Sequence, residues 1–251
     1  YVTSATDFIN EEDDSTRYNG KMIVFSPDFI EKPGLPFSSR MINGIKKKIA
    51  GDFYSESEVN SDRIKSKAGG YSILHLSTHS EMDETGIGKL YLNPKYGQDT
   101  YLTIDSIYGY DIKTNLTVLS ACNTNGGKYE FGEGALSFSR AFLTVGSQST
   151  LTTMWSVDDK ITNAILTDFY NDLFEEKSKS EALQNSQLNY LLNCKSGIEA
   201  NPIFWSGLIL TGSDSVVSLH PAENTHSIFI FKTLIVIVLL LLIFKRRGHR
   251  S

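Results

Sequence analysis

Cys122 and Cys194 are the only two cysteines in the 251-residue chain, so no disulfide framework shapes it. Closely spaced Cys and His residues that would hold zinc are absent, and no metal is expected. Gly126-Gly127 and Gly132-Glu133-Gly134 are loop glycines without the lysine of a phosphate-binding turn, so no nucleotide or other cofactor is expected. A basic stripe is missing as well. Formal charge is −5, and Lys232, Lys245, Arg246, Arg247 and Arg250 all follow Ser227, where no acid occurs. Taking those five positive charges from −5 leaves −10 on the body before them. So acidic a body argues against a nucleic-acid partner.

Hydrophobic residues make up 40% and aromatics 11%, enough to fill the core of one sizeable α/β domain with an appendage. Residues 10–20 read as an exposed acidic loop, and Met22-Ile-Val-Phe25 as a short buried strand. Helices are expected over 38–50 and 56–67, a strand over 71–78 and a short strand near 89–92. One or two helical turns capped by Thr103 should cover 103–109, with a strand at 116–121. Helices are then expected over 133–145, from Asp158 or Asp159 to Phe174, and over 179–193. Strands are expected at 148–155 and 204–210. Alternating strands and helices of this kind predict a mostly parallel sheet with helices on both faces.

Two runs carry the chemistry. Tyr71-Ser-Ile-Leu-His-Leu-Ser-Thr-His79-Ser80 and Leu116-Thr-Val-Leu-Ser-Ala-Cys122-Asn-Thr-Asn-Gly-Gly127 each read as a buried strand that breaks into a loop. In open α/β sheets, working residues gather beyond the carboxyl ends of parallel strands. A thiol and an imidazole delivered there make a nucleophile and its base. Either residue alone says little, since cysteine commonly fills core space and a strand-end histidine is commonly structural. Ser120 and Ala121 are small and leave room for a substrate chain to approach Cys122. His75 shares strand parity with His79 but lies between Leu74 and Leu76, and reads as a buried structural histidine. His220, His226 and His249 fall in the linker or tail and read as solvated.

Residues 228–244 are apolar except for Lys232 and Thr233, and as a helix would extend roughly 25 Å. A membrane-spanning helix is expected there, with Lys232 snorkelling to the interface. The basic tail at 245–251 predicts a cytoplasmic C-terminus, with the body on the outer, periplasmic or extracellular side. Residues 214–227 read as the linker to this anchor. The chain begins at Tyr1 with no visible signal peptide, so further sequence is expected upstream.

His-Leu-Ser-Thr-His79 together with Leu-Ser-Ala-Cys122-Asn-Thr resembles the CHAT domain, a caspase-like peptidase relative often found behind tetratricopeptide repeats. Further matches follow in order: Gly132-Glu133-Gly134, Arg140-Ala141-Phe142-Leu143, Val145-Gly146-Ser147, Met154-Trp155-Ser-Val157-Asp158-Asp159, Phe169-Tyr170, and Pro202-Ile-Phe-Trp205 leading to Gly212. The resemblance covers roughly residues 1–213, and the stretch from Trp155 to Asp159 also resembles separase. It implies a caspase-like three-layer α/β sandwich, and a cysteine endopeptidase acting on a protein or peptide substrate. His79 would be the base and Cys122 the nucleophile, with the backbone amides of Ser80 and Cys122 at the oxyanion. Tetratricopeptide repeats upstream are implied as well.

Family members usually carry Gly where this chain has Ser80, so the turn there must tolerate a Cβ; Asn201 likewise replaces a common His. Arginine- or lysine-specific relatives in the wider clan often place Asp two positions before the nucleophile; here that position is Ser120. Asp158 and Asp159 either form an acidic substrate wall or cap a helix, and Trp155 either lines the cleft or packs in the core. The alternative to an enzyme is a non-catalytic scaffold of the same fold, anchored to a membrane.

Overall fold

The computed structural model describes residues 18–27, 29, 33–55, 58–82, 88–92, 100–121, 129–130, 134–135 and 137–223. Its centre is a six-stranded sheet of β1 (Met22–Ser26), β2 (Gly51–Ser55), β3 (Ile73–Ser77), β7 (Leu116–Ser120), β10 (Ser149–Thr153) and β11 (Leu208–Gly212), in the order β11-β10-β7-β3-β1-β2. All neighbours pair in parallel except β10 with β11, which is antiparallel.

Near-continuous apolar strands are what a sheet covered on both faces requires, and successive residues divide between two cores. Met22, Val24, Ile73, Leu116 and Val118 point to one face, against α1 (Pro36–Ile45), α5 (Asp159–Phe174) and α6 (Lys179–Asn193). Ile23, Phe25, Leu74, Leu76 and Leu119 point to the other, against α2 (Ser61–Lys67), α3 (Ile104–Ile107) and α4 (Phe138–Thr144). An antiparallel sheet of β4 (Ser80–Met82), β5 (Gly88–Tyr91) and β6 (Tyr101–Thr103) adds Leu90 and Leu102 to this second core. A two-stranded hairpin, β8 (Tyr129–Glu130) with β9 (Gly134–Ala135), and a single turn, α7 (Pro202–Trp205), complete the elements.

Helix starts follow from their capping residues. Asp158 Oδ1 accepts from Ile161 N at 3.0 Å, and Thr103 forms a capping box with Ser106. Ser137 caps α4 through Arg140 N, so this helix starts at Phe138 rather than at Glu133 as expected. The expected helix over 38–50 is instead Pro36–Ile45, because Pro at its first turn sets the start and the chain then turns into β2. The expected last strand over 204–210 is a helical turn, Pro202–Trp205, followed by β11. Asn201 caps that turn through Ile203 N at 3.1 Å.

The stretch after β11, expected as linker from residue 214, lies on the domain as far as Glu223. Val217 is fully buried, Ile49 bridges Pro221, and Ala222 N donates to the Lys48 carbonyl at 2.9 Å. The Lys179 ammonium, buried in α6, donates to the Ser213 carbonyl at 3.0 Å and to Ser215 Oγ at 3.2 Å. Residues 228–244, expected to cross a membrane, lie outside the described residues. Among the described residues no helix is long and apolar enough to do so.

Candidate functional site

Parallel pairing of β3 with β7 sets Ser77 opposite Ser120, the last residues of the two strands. His79 comes two residues after Ser77, and Cys122 two residues after Ser120. Both positions therefore follow the carboxyl ends of neighbouring central strands. Cys122 itself, with its loop to Lys128, lies outside the described residues; the chain is described up to Ala121, which is 5% exposed.

His79 is half-buried and held on three sides. Its carbonyl accepts from Tyr91 N at 2.9 Å, so β5 fixes its backbone. The ring meets Phe29 edge-on, with centroids 4.4 Å apart. Nε2 lies 2.8 Å from the Pro33 carbonyl oxygen. A carbonyl only accepts, so Nε2 carries a proton and donates it, which turns Nδ1 to the other side of the ring. Ser80, the residue after it, opens β4 opposite Leu90, so strand pairing accommodates its Cβ.

His75 is a different histidine altogether. It is fully buried, with Nδ1 2.7 Å from Tyr170 Oη and Nε2 2.9 Å from Ser120 Oγ. Burial lowers its pKa to about 3, so it stays neutral between two hydroxyls. The expectation of a structural histidine agrees with this placement. Its bond to Ser120, which sequence patterning does not reveal, holds the half-buried hydroxyl at the strand end.

Asp158 is the exposed N-cap of α5. Asp159 Oδ2 accepts from Phe37 N at 3.2 Å and Oδ1 from Asn163 Nδ2 at 2.6 Å, which ties the start of α1 to the start of α5. Burial raises the Asp159 pKa, opposed by the Phe37 amide and, more weakly, by the nearby His79. Ser38 and Ser77 join hydroxyls in a second tie between α1 and the end of β3. Trp155 is half-buried and donates Nε1–H to the Ile203 carbonyl at 2.8 Å, bridging the end of β10 to α7. No group of three or more His, Cys, Asp or Glu side chains converges on a metal position among the described residues.

This architecture, a mostly parallel sheet between helices with the candidate residues beyond the strand ends, is that of caspase-like folds. The chain belongs to the CHAT domain family, whose model matches residues 1–213. A curated relative, human (Homo sapiens) tetratricopeptide repeat protein 28, is 26% identical over 117 residues, 47% of this chain and 5% of its own length. Among solved structures, the complex of Porphyromonas gingivalis RgpB pro- and mature domains is similar, with a TM-score of 0.53 at 11% identity. That match covers 81% of this chain and 50% of the RgpB chain. Saccharomyces cerevisiae separase, in its complex with securin, matches with a TM-score of 0.50 at 14% identity, over 77% of this chain and 12% of separase. The chain thus spans half or less of each protein it resembles.

Proposed function

We propose that the chain is a cysteine endopeptidase that uses His79 and Cys122 to cleave a protein substrate through an acyl-enzyme. The supporting observation is His79, its Nε2–H bonded to the Pro33 carbonyl so that Nδ1 faces the other way, at the end of the strand paired with the one that leads into Cys122. Nδ1 takes the thiol proton as sulfur attacks the scissile carbonyl, and the backbone amides of Ser80 and Cys122 receive the oxyanion. The C–N bond then breaks, the amine leaves with the proton from His79, and a C–S bond holds the acyl group. Water, deprotonated by Nδ1, attacks the thioester; the acid leaves and the thiol is restored. Ser120 and Trp155 face the substrate side chain. Asp158 is the acid available to a basic residue there, since Asp159 is engaged by Phe37 and Asn163.

Residues 228–244 anchor this domain as a single transmembrane helix, with the tail in the cytoplasm and the peptidase on the outer side; tetratricopeptide repeats precede it in the same protein. Peptide acyloxymethyl ketones, read by mass spectrometry, test the catalytic reading. Covalent addition at Cys122 that requires His79 supports the enzyme. A thiol inert to every peptide electrophile, in folded protein, would leave a non-catalytic scaffold.

A further inference from the structure

A cavity of about 530 Å³ opens between α1 and α5, and neither His79 nor Ser120 lines it. Its deepest walls are apolar: Met41, Ile45, Ile49 and Tyr170 line it, and none is more than 7% exposed. A docked helix, about 10 Å across, could not reach atoms so recessed, whereas a slim aliphatic chain could. Arg40, Lys48 and Lys160 line the same cavity, and no carboxylate does. The Lys48 ammonium is already engaged by Asn171 Oδ1 at 2.8 Å and lies 5.1 Å from the Phe174 ring. Arg40 only stacks on Phe37, and neither it nor Lys160 pairs with an acid among the described residues.

Two further features point inward. Asn163, one turn after Lys160, is 5% exposed and donates Nδ2–H to the Asp159 carbonyl and carboxylate at 2.7 and 2.6 Å. Those bonds fix the amide orientation and leave Oδ1 buried with no donor among the described residues, an unmet acceptor that a ligand hydroxyl would satisfy. Gly44 supplies the open space: a Cβ built there meets nothing within 4 Å. Helix propensity alone favours Ala and most other residues over Gly at that position.

We propose that this cavity binds a long-chain carboxylic acid with a hydrogen-bond donor close to its carboxylate, in chemical class a β-hydroxy fatty acid. The chain lies along Met41, Ile45 and Tyr170, the carboxylate sits between Arg40 and Lys160, and the hydroxyl donates to Asn163 Oδ1. The proposal goes beyond the peptidase reading and stands without it.

The test uses the full chain in discs of uncharged phosphatidylcholine, with a diazirine analogue of β-hydroxypalmitate as photoreactive probe. The expected result is labelling of peptides from α1 and α5, with β-hydroxypalmitate competing better than palmitate and hexadecanol not competing. Gly44→Trp, and independently Ala164→Phe on the exposed wall of α5, should abolish labelling, while Gly44→Ala retains it. Arg40→Ala with Lys160→Ala should weaken competition at least about tenfold. Circular dichroism identifies which blocking variant is folded. Labelling confined to residues 228–244, equal competition by hexadecanol, or labelling unchanged in a folded blocking variant would each overturn the proposal.

Discussion

His79 Nε2 and the Pro33 carbonyl oxygen stand 2.8 Å apart, and that single bond decides which face of the imidazole is left for chemistry. In the proposed dyad a backbone carbonyl takes the place that a carboxylate side chain holds in a Ser-His-Asp triad. It orients the ring without adding a charge. Nitrogen NMR of His79 in the resting protein should report the Nε2–H tautomer, unchanged in Cys122→Ala. A resting ring protonated at Nδ1 would remove the base assigned to it.

Cys122→Ala should abolish peptide cleavage and leave the melting temperature unchanged. Cleavage of a substrate surviving in this variant would place the nucleophile elsewhere.

The two histidines should separate cleanly. His79→Ala removes thiol activation, read as a loss of alkylation rate at neutral pH, with little change in stability. His75→Ala strands Tyr170 and Ser120 and opens a cavity, and should cost about 2–4 kcal/mol in urea melts. Equal stability in both variants would refute the division of roles.

His75 also gives the fold an acid limit. Its folded pKa, about 3, lies below the 6.5 of an unfolded histidine, so between those values the unfolded chain binds the extra proton. Stability from this group is complete above pH 6.5 and is lost as pH falls towards 3, roughly 3 kcal/mol by pH 4. Urea titrations at several pH values should show this slope in the native protein and a shallower one in His75→Leu.

Lys179 acts at the other end of the scale. Burial lowers its pKa to about 7 from 10.5, with Asp214 opposing, so the unfolded chain holds the extra proton between those values. Stability should therefore rise with pH across that window, by roughly 2 kcal/mol between pH 7 and 9. Lys179→Met should flatten the rise; a native profile already flat there would show that the ammonium is solvated.

The proposed membrane anchor has its own test. Extraction of the chain should need detergent, and truncation after Ser227 should remove that need. In a Cys194→Ser background, which removes the half-buried second thiol, an impermeant thiol reagent should label Cys122 in intact cells. Labelling that appears only after permeabilisation would reverse the orientation.

Much of this fold was legible because its central strands are apolar on both faces. β1, β3 and β7 stand out as β-branched and aliphatic runs that break at Ser or Asn, and α6 was expected with the boundaries it has. β2 was not legible: Gly51-Asp52-Phe53-Tyr54-Ser55 sits at the sheet edge, half-buried, and owes its strand form to pairing with β1. Gly51 is needed there, since a Cβ would lie 2.2 Å from the Met22 carbonyl oxygen. Phe204 and Trp205, the end of the turn Pro202–Trp205, read as the start of the last strand, and only Asn201-Pro202 signals a helix start. At the site, His79 is marked by motif, but Pro33 is not. A carbonyl contact is made by backbone that any residue could supply, so no side-chain pattern announces it.

His220 N donates to the Gly20 carbonyl at 2.7 Å and Ala50 N to the His220 carbonyl at 2.9 Å, so the segment after β11 is stitched to the entrances of β1 and β2. Those entrances are amino ends of strands parallel to β3 and β7. The carboxyl ends of β3 and β7, which lead to the candidate dyad, lie at the opposite edge of the sheet, about 17 Å away along five residues. Tension applied to the chain beyond Glu223 would therefore fall first on the roots of β1 and β2, at the edge of the sheet opposite His79.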